Sequence, residues 1–121
     1  MVKVKGLHHV GIITVDLDKA MEFYGKVLGL PTLPRPDLGF PGAWYALGAG
    51  QELHLMVLGE TITPSRRHIA LEVEDLEETM KTLKEEGVRI RGEPIMRHDG
   101  SRTLFCYDPD GNLLEITHHP S

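Results

Sequence analysis

His9 and His68 each open a near-copy of one segment, HVGIITVDLDKAM in the first case and HIALEVEDLEETM in the second. Asp16/Asp75, Leu17/Leu76 and Met21/Met80 recur in register, at an offset of about half the 121-residue chain. Farther on, LHLM at 53–56 matches LEIT at 114–117, so His54 and Glu115 share one repeat position as His9 and His68 share another. Three imidazoles and one carboxylate are donors suited to one divalent transition metal ion, such as zinc, nickel, iron, manganese or cobalt. With a single anionic ligand the ion keeps a net positive charge and polarises a bound oxygen. A lone histidine in a strand is usually hydrogen-bonded or exposed, and a glutamate near a chain end is usually solvated. Recurrence at equivalent places in a repeat is what sets these four apart.

The elements that must position them follow from the pattern. Residues 7 to 15 form a short apolar, β-branched run that reads as a buried strand, and Asp16 supplies an N-cap. Ala20, Phe23, Tyr24, Val27 and Leu28 then recur on one helical face, and Gly29 stands where a left-handed C-terminal residue belongs. In the second copy Asp75 and Glu78 predict a capping box, Leu76, Met80 and Leu83 the apolar stripe, and Gly87 the stop. Strands follow each helix: a short one in the irregular 29–41 segment, AWYALG and ELHLMVL in the first half, then Val88 to Met96, SRTLFCY and LLEIT in the second. Asp108 to Asn112 reads as a tight turn, being too short and too poor in carboxylates for a calcium loop. Each half is therefore a βαβββ module, and the fold class is α+β. Strand alternation turns His54, between Leu53 and Leu55, and Glu115, between Leu114 and Ile116, away from the face their neighbours bury. With helices covering one face, the four polar positions are expected to look into a cleft on the other.

Composition narrows the function classes. The length suits one domain with a real core but not two independent ones. A net charge of −5 without a long basic run argues against nucleic acid and anionic membranes as partners. No apolar run is long enough to span a bilayer, and the residues after Met1 lack a signal-peptide core. Cys106 is the only cysteine, so no intramolecular disulfide can form, and the cytoplasm is the expected compartment.

HHVGIITVDLDKAMEFYGKVLGL, RHIALEVEDLEETMKTLKEEGV and DPDGNLLEI resemble the vicinal oxygen chelate superfamily, which includes glyoxalase I, fosfomycin-resistance proteins, methylmalonyl-CoA epimerase, extradiol dioxygenases and bleomycin-binding proteins. The resemblance covers nearly the whole chain. It implies a single domain, 1–121, of two tandem modules, about 5–60 and 66–119, whose sheets curl into an incomplete barrel with the helices outside. It also implies a homodimer, a small-molecule substrate, and a metal held at the positions of His9, His54, His68 and Glu115. His8 competes for the first place, but register with His68 favours His9.

Departures shape the finer reading. Glyoxalase I has glutamate at the place of His54 and epimerases tend to have glutamine. The tyrosine of fosfomycin-resistance proteins corresponds to Phe105, and their basic tail is replaced by THHPS. Common extradiol dioxygenases need about twice the length. The resemblance thus implies a metal-dependent, glyoxalase-like lyase or isomerase for a small oxygenated substrate, with Glu115 as both ligand and catalytic carboxylate. The alternatives are a dioxygenase or thiol transferase on the same scaffold, or a metal-free binding protein like those for bleomycin. Trp44 and Phe105, equivalent in their modules, are candidate apolar walls for substrate, or else core packing. Arg35 and Arg102 are candidates for holding a carboxylate or phosphate, against the commoner case of surface arginines. Glu72 shares a strand face with His68 but reads as solvated, and His118 and His119 read as a solvated tail.

Overall fold

A strand, a helix and three further strands occur twice in the computed structural model, which describes residues 1–120; Ser121, within the expected 1–121 span and the THHPS segment, lies outside the described residues. The chain divides into two units, Met1–Thr61 and Ile62–Ser121. The first contains β1 (His9–Ile13), α1 (Leu17–Met21) with a π-helical continuation over Glu22–Val27, β2 (Thr32–Leu33), β3 (Gly42–Gly48) and β4 (Gln51–Met56). The second contains β5 (His68–Glu72), α2 (Leu76–Glu85), β6 (Ile90–Met96), β7 (Arg102–Tyr107) and β8 (Leu113–His118). Each unit folds its strands into a four-stranded sheet, in the order β1-β4-β3-β2 and β5-β8-β7-β6. In both, the first and last strands pair in parallel and the others are antiparallel. The βαβββ module is thus realised twice with the same topology, and the sheets are open, not closed barrels.

The first strand differs from its expectation. Residues 7 to 15 are not a strand buried on both faces: β1 is shorter, pairs with β4, and buries Ile12 alone among its residues. The apolar run is an alternation at a sheet edge, where His9 and Gly11 take the face opposite Val10 and Ile12.

The first helix also differs. Asp16 caps it as expected, accepting a hydrogen bond from Lys19 N at 3.2 Å. Beyond Met21 the backbone widens to π geometry, with Leu28 N donating to Phe23 O at 2.9 Å. Positions advance farther per turn in such a segment, so Val27 and Leu28 leave the apolar stripe and stay half-buried while Phe23 and Tyr24 are buried. Gly29, at φ +70°, ends the helix and Gly87, at φ +71°, ends its counterpart. Asp75 caps α2 by accepting from Glu78 N at 3.0 Å, an interaction that stabilises by about 1 kcal/mol.

The core faces are filled by Tyr24, Tyr45, Leu53 and Leu55 in the first unit and by Leu83, Leu104, Leu114 and Ile116 in the second, all under 2% exposed. Each such aliphatic side chain stabilises by about 1.5–3 kcal/mol. Because these residues alternate along β4 and β8, their burial fixes which face the intervening polar side chains occupy. The 108–112 segment is a turn organised by Asp108, whose carboxylate accepts from Asp110 N, Asn112 N and Asn112 Nδ2 at 2.7–3.0 Å. That carboxylate is engaged within its own loop. Among the described residues no helix is long and apolar enough to cross a membrane.

Candidate functional site

Strand register gives His54 and Glu115 the same neighbours in kind. His54 lies opposite Gly11 on β1 and Trp44 on β3; Glu115 lies opposite Ala70 on β5 and Phe105 on β7. A small residue on one flank and an aromatic on the other leave room above each functional side chain and a wall beside it. Leu53 and Leu55, and Leu114 and Ile116, are fully buried on the opposite face, as alternation requires.

In the first unit the His54 ring sits in a stack. Trp44 lies 4.1 Å from it at an interplanar angle of 7°, and His9 lies 4.1 Å from it at 17°. His54 Nε2 donates to Glu52 Oε1 at 2.9 Å. That hydrogen bond holds the Glu52 carboxyl below its ordinary value; burial opposes the effect, and the His8, His54 and His9 charges reinforce it. His8 is not simply a rival for the ligand place, since its Nδ1 lies 2.9 Å from His9 Nδ1, where one ring donates and the other accepts.

In the second unit His68 Nε2 lies 3.1 Å from Glu115 Oε1, and His68 Nδ1 donates to the Arg66 carbonyl at 2.8 Å. The other carboxylate oxygen of Glu115 accepts from Thr103 Oγ1 at 2.6 Å and lies 3.7 Å from Arg97 Nη2. With Nδ1 occupied as a donor, a neutral His68 ring turns a lone pair towards Glu115. Two lone pairs at that distance need a proton or a cation between them. Metal–nitrogen and metal–oxygen bonds of about 2.0–2.2 Å place neighbouring ligand atoms about 2.9–3.5 Å apart, so the 3.1 Å spacing fits two donors on one ion. The backbone bond at Nδ1 is the usual outer support of a metal-binding histidine. Among the described residues, no group of three or more His, Cys, Asp or Glu side chains that could hold a metal ion is brought together.

The aromatic and basic candidates fall differently. Trp44 stacks on His54, and Phe105 meets His68 edge-on at 5.5 Å between ring centroids. Arg35 bonds the Phe40 carbonyl at 2.8 Å and lies over the Phe40 ring. Its guanidinium lies where a Cβ on Gly42 would project, two residues from Trp44 on the same strand face. Arg102 is not brought to Glu115. It shares a strand face with Leu104 and Cys106, opposite that of Thr103 and Phe105, and its guanidinium pairs with Glu77 in the first turn of α2. Glu72 and His119 are exposed, as expected, and pair at the surface: Glu72 Oε2 accepts from His119 N and Nδ1 at 3.1 and 2.8 Å, while the half-buried His118 donates from Nδ1 to the Val73 carbonyl.

Three residues beside the candidates escaped the sequence reading. Glu52 stands two positions before His54, and Thr103 two before Phe105, so alternation alone puts them on the functional faces. Arg97 follows the end of β6 and carries no such signal.

Comparison with known proteins agrees with these modules. The chain is 34% identical to "Glyoxylase I 4" of Arabidopsis thaliana, over 91% of this chain and 68% of that protein. It is 32% identical to a protein of Synechocystis sp. named "Probable lactoylglutathione lyase", over 91% of this chain and 92% of that one. A crystal structure of a glyoxalase family protein from Bacillus anthracis superposes with a TM-score of 0.86 at 25% identity, covering 99% of both chains. Residues 6–116 match the family described as Glyoxalase/Bleomycin resistance protein/Dioxygenase superfamily. The chain belongs to that superfamily.

Proposed function

We propose that this protein is a metal-dependent, glyoxalase-like lyase or isomerase acting on a small oxygenated compound. Its ligands are His9, His54, His68 and Glu115, with one divalent transition metal ion per site. The observation that carries this is the pairing of His68 Nε2 with Glu115 Oε1 at 3.1 Å while His68 Nδ1 is committed to a carbonyl. The stacked His9 and His54 rings occupy the matching places of the other module. Similarity to proteins named for glyoxalase I and lactoylglutathione lyase supports the reaction class.

When bound, the ion supplies a positive centre that orients the substrate's oxygens and stabilises negative charge developing on them. The chain's own groups do the rest. Thr103 holds Glu115 Oε2, which directs Oε1 towards His68. Glu115 is the carboxylate placed to take up or return a proton next to a carbonyl. Trp44 and Phe105 wall the site with apolar surface, and Arg35 offers a cationic edge on the face of Trp44 for an anionic part of the substrate. Arg102 is left out of this set because Glu77 holds it on the helix side. A homodimer in the cytoplasm is the working form in this reading, and sedimentation of the purified protein checks the assembly.

The test is turnover. Protein stripped of metal is given methylglyoxal and glutathione, and formation of lactoylglutathione is followed with zinc, nickel, cobalt, manganese or iron(II) added in turn. Turnover that depends on the ion and is lost in Glu115→Ala supports the proposal. A small ligand that changes Trp44 emission with no metal requirement and no turnover would support a binding protein instead.

A further inference from the structure

We propose that Glu52 is a positioning residue for His54: it accepts the Nε2 proton of that imidazole and so fixes Nδ1 as the lone pair offered to the metal. This rests on His54 being a ligand, as proposed above. The two atoms lie 2.9 Å apart, and an ionised carboxylate only accepts, so Nε2 carries the hydrogen. A neutral ring then keeps its lone pair at Nδ1.

Two constraints act on two different motions of the ring. Trp44 and His9, each 4.1 Å away and nearly parallel to it, prevent the imidazole from tipping. Stacking does not distinguish the two orientations related by a half-turn about the Cβ–Cγ bond, which share the plane and exchange the ring's edges. The Glu52 carboxylate selects one of those two orientations.

The repeat shows why a carboxylate stands here and not in the other module. The place of Glu52, two residues before the functional side chain, is taken in the second unit by Leu113, 5% exposed. Glu115 offers two chemically equivalent oxygens, so a half-turn changes nothing. Imidazole has two unlike nitrogens, one of which is useless to a metal while it carries hydrogen. Glu52 accompanies the one member of the His54/Glu115 pair whose edges must be told apart. Its side chain is 26% exposed, so its carbons are not required to fill the core.

The experiment uses full-length, metal-free protein and zinc alone as the probe, with circular dichroism confirming that each variant is folded. Glu52→Ala is expected to weaken zinc binding by about 10–100-fold, the usual effect of removing an outer partner of a ligand. Glu52→Gln, whose amide oxygen still accepts, is expected to retain most of the affinity. Nitrogen-15 NMR of the His54 ring, also without metal, is expected to show hydrogen on Nε2 in wild type and in Glu52→Gln, and mixed tautomers in Glu52→Ala. Unchanged zinc affinity in Glu52→Ala, or a wild-type ring with hydrogen on Nδ1, overturns the proposal. If wild type binds no zinc yet keeps the Nε2 hydrogen in a Glu52-dependent way, the ligand reading fails while the hold of Glu52 on the ring stands.

Discussion

His68 Nε2 lies 3.1 Å from Glu115 Oε1, across 47 residues of sequence, with its other ring nitrogen bonded to the Arg66 carbonyl. The histidine opens the first strand of its module and the glutamate lies in the last. Parallel pairing of β5 with β8 brings them together, with Ala70 directly opposite Glu115. The small side chain on that flank leaves His68, two residues earlier on the same face, free to reach across.

Thr103 is the first place to test the support of that carboxylate. Its hydroxyl is fully buried and donates to Glu115 Oε2 at 2.6 Å. Thr103→Val keeps the shape and removes the donor, which leaves the largely buried Glu115 Oε2 with only the more distant Arg97 guanidinium, 3.7 Å away. A loss of about 1–3 kcal/mol in chemical denaturation is expected, with Thr103→Ser close to wild type. Equal stability of all three proteins would show that the bond contributes nothing.

Trp44 is the sole tryptophan and lies against the His54 ring at 4.1 Å. Its emission should therefore respond when cobalt(II) is added to metal-free protein, and the response should disappear in His54→Ala. A response that survives that substitution would place the ion away from His54.

Acid titration reads the tail. The side-chain hydrogen bond from His119, then its backbone bond, hold the Glu72 carboxyl below its ordinary value of 4.5, with burial acting in the opposite sense. Because the folded value is depressed, the stabilising contribution is complete above the unfolded value. It is lost as pH falls through the folded one, so the window lies below pH 4.5. In His119→Ala the Glu72 midpoint should rise towards 4.5 in a carboxyl-carbon NMR titration. A midpoint that does not move would mean that the contact is absent in solution.

Cys106 should be inert in the folded protein. Burial, with a smaller contribution from the Asp108 charge, raises its thiol to about 11, and the side chain is fully buried. Iodoacetamide at pH 8 should alkylate it only after denaturant is added. Rapid native labelling would show that β7 opens readily.

Much of this was legible in the residues, for a physical reason. Repetition is visible in one chain, and alternation along β4 and β8 follows from Leu53, Leu55, Leu114 and Ile116 being apolar. The faces of His54 and Glu115 could therefore be read directly. Backbone geometry that competes with the helical period could not: the chain widens to a π turn after Met21, within which Gly25 lies against the Tyr45 ring. Arg102 is a different case. Its charge suggested an anion, but its strand parity with Leu104 and Cys106 put it on the helix side, where Glu77 meets it. Glu52 was legible by parity with His54 yet has no counterpart in the other module, so comparing the two copies passed over it.

Metal content is the most direct measure of the central proposal. Untagged protein purified without chelator is analysed by mass spectrometry beside His9→Ala, His54→Ala, His68→Ala and Glu115→Ala. About one transition-metal ion per chain in wild type is predicted, with most of it lost in the folded His68→Ala and Glu115→Ala proteins. Metal-free wild type that takes up none of the divalent ions offered, or full occupancy in His68→Ala, would contradict the assignment.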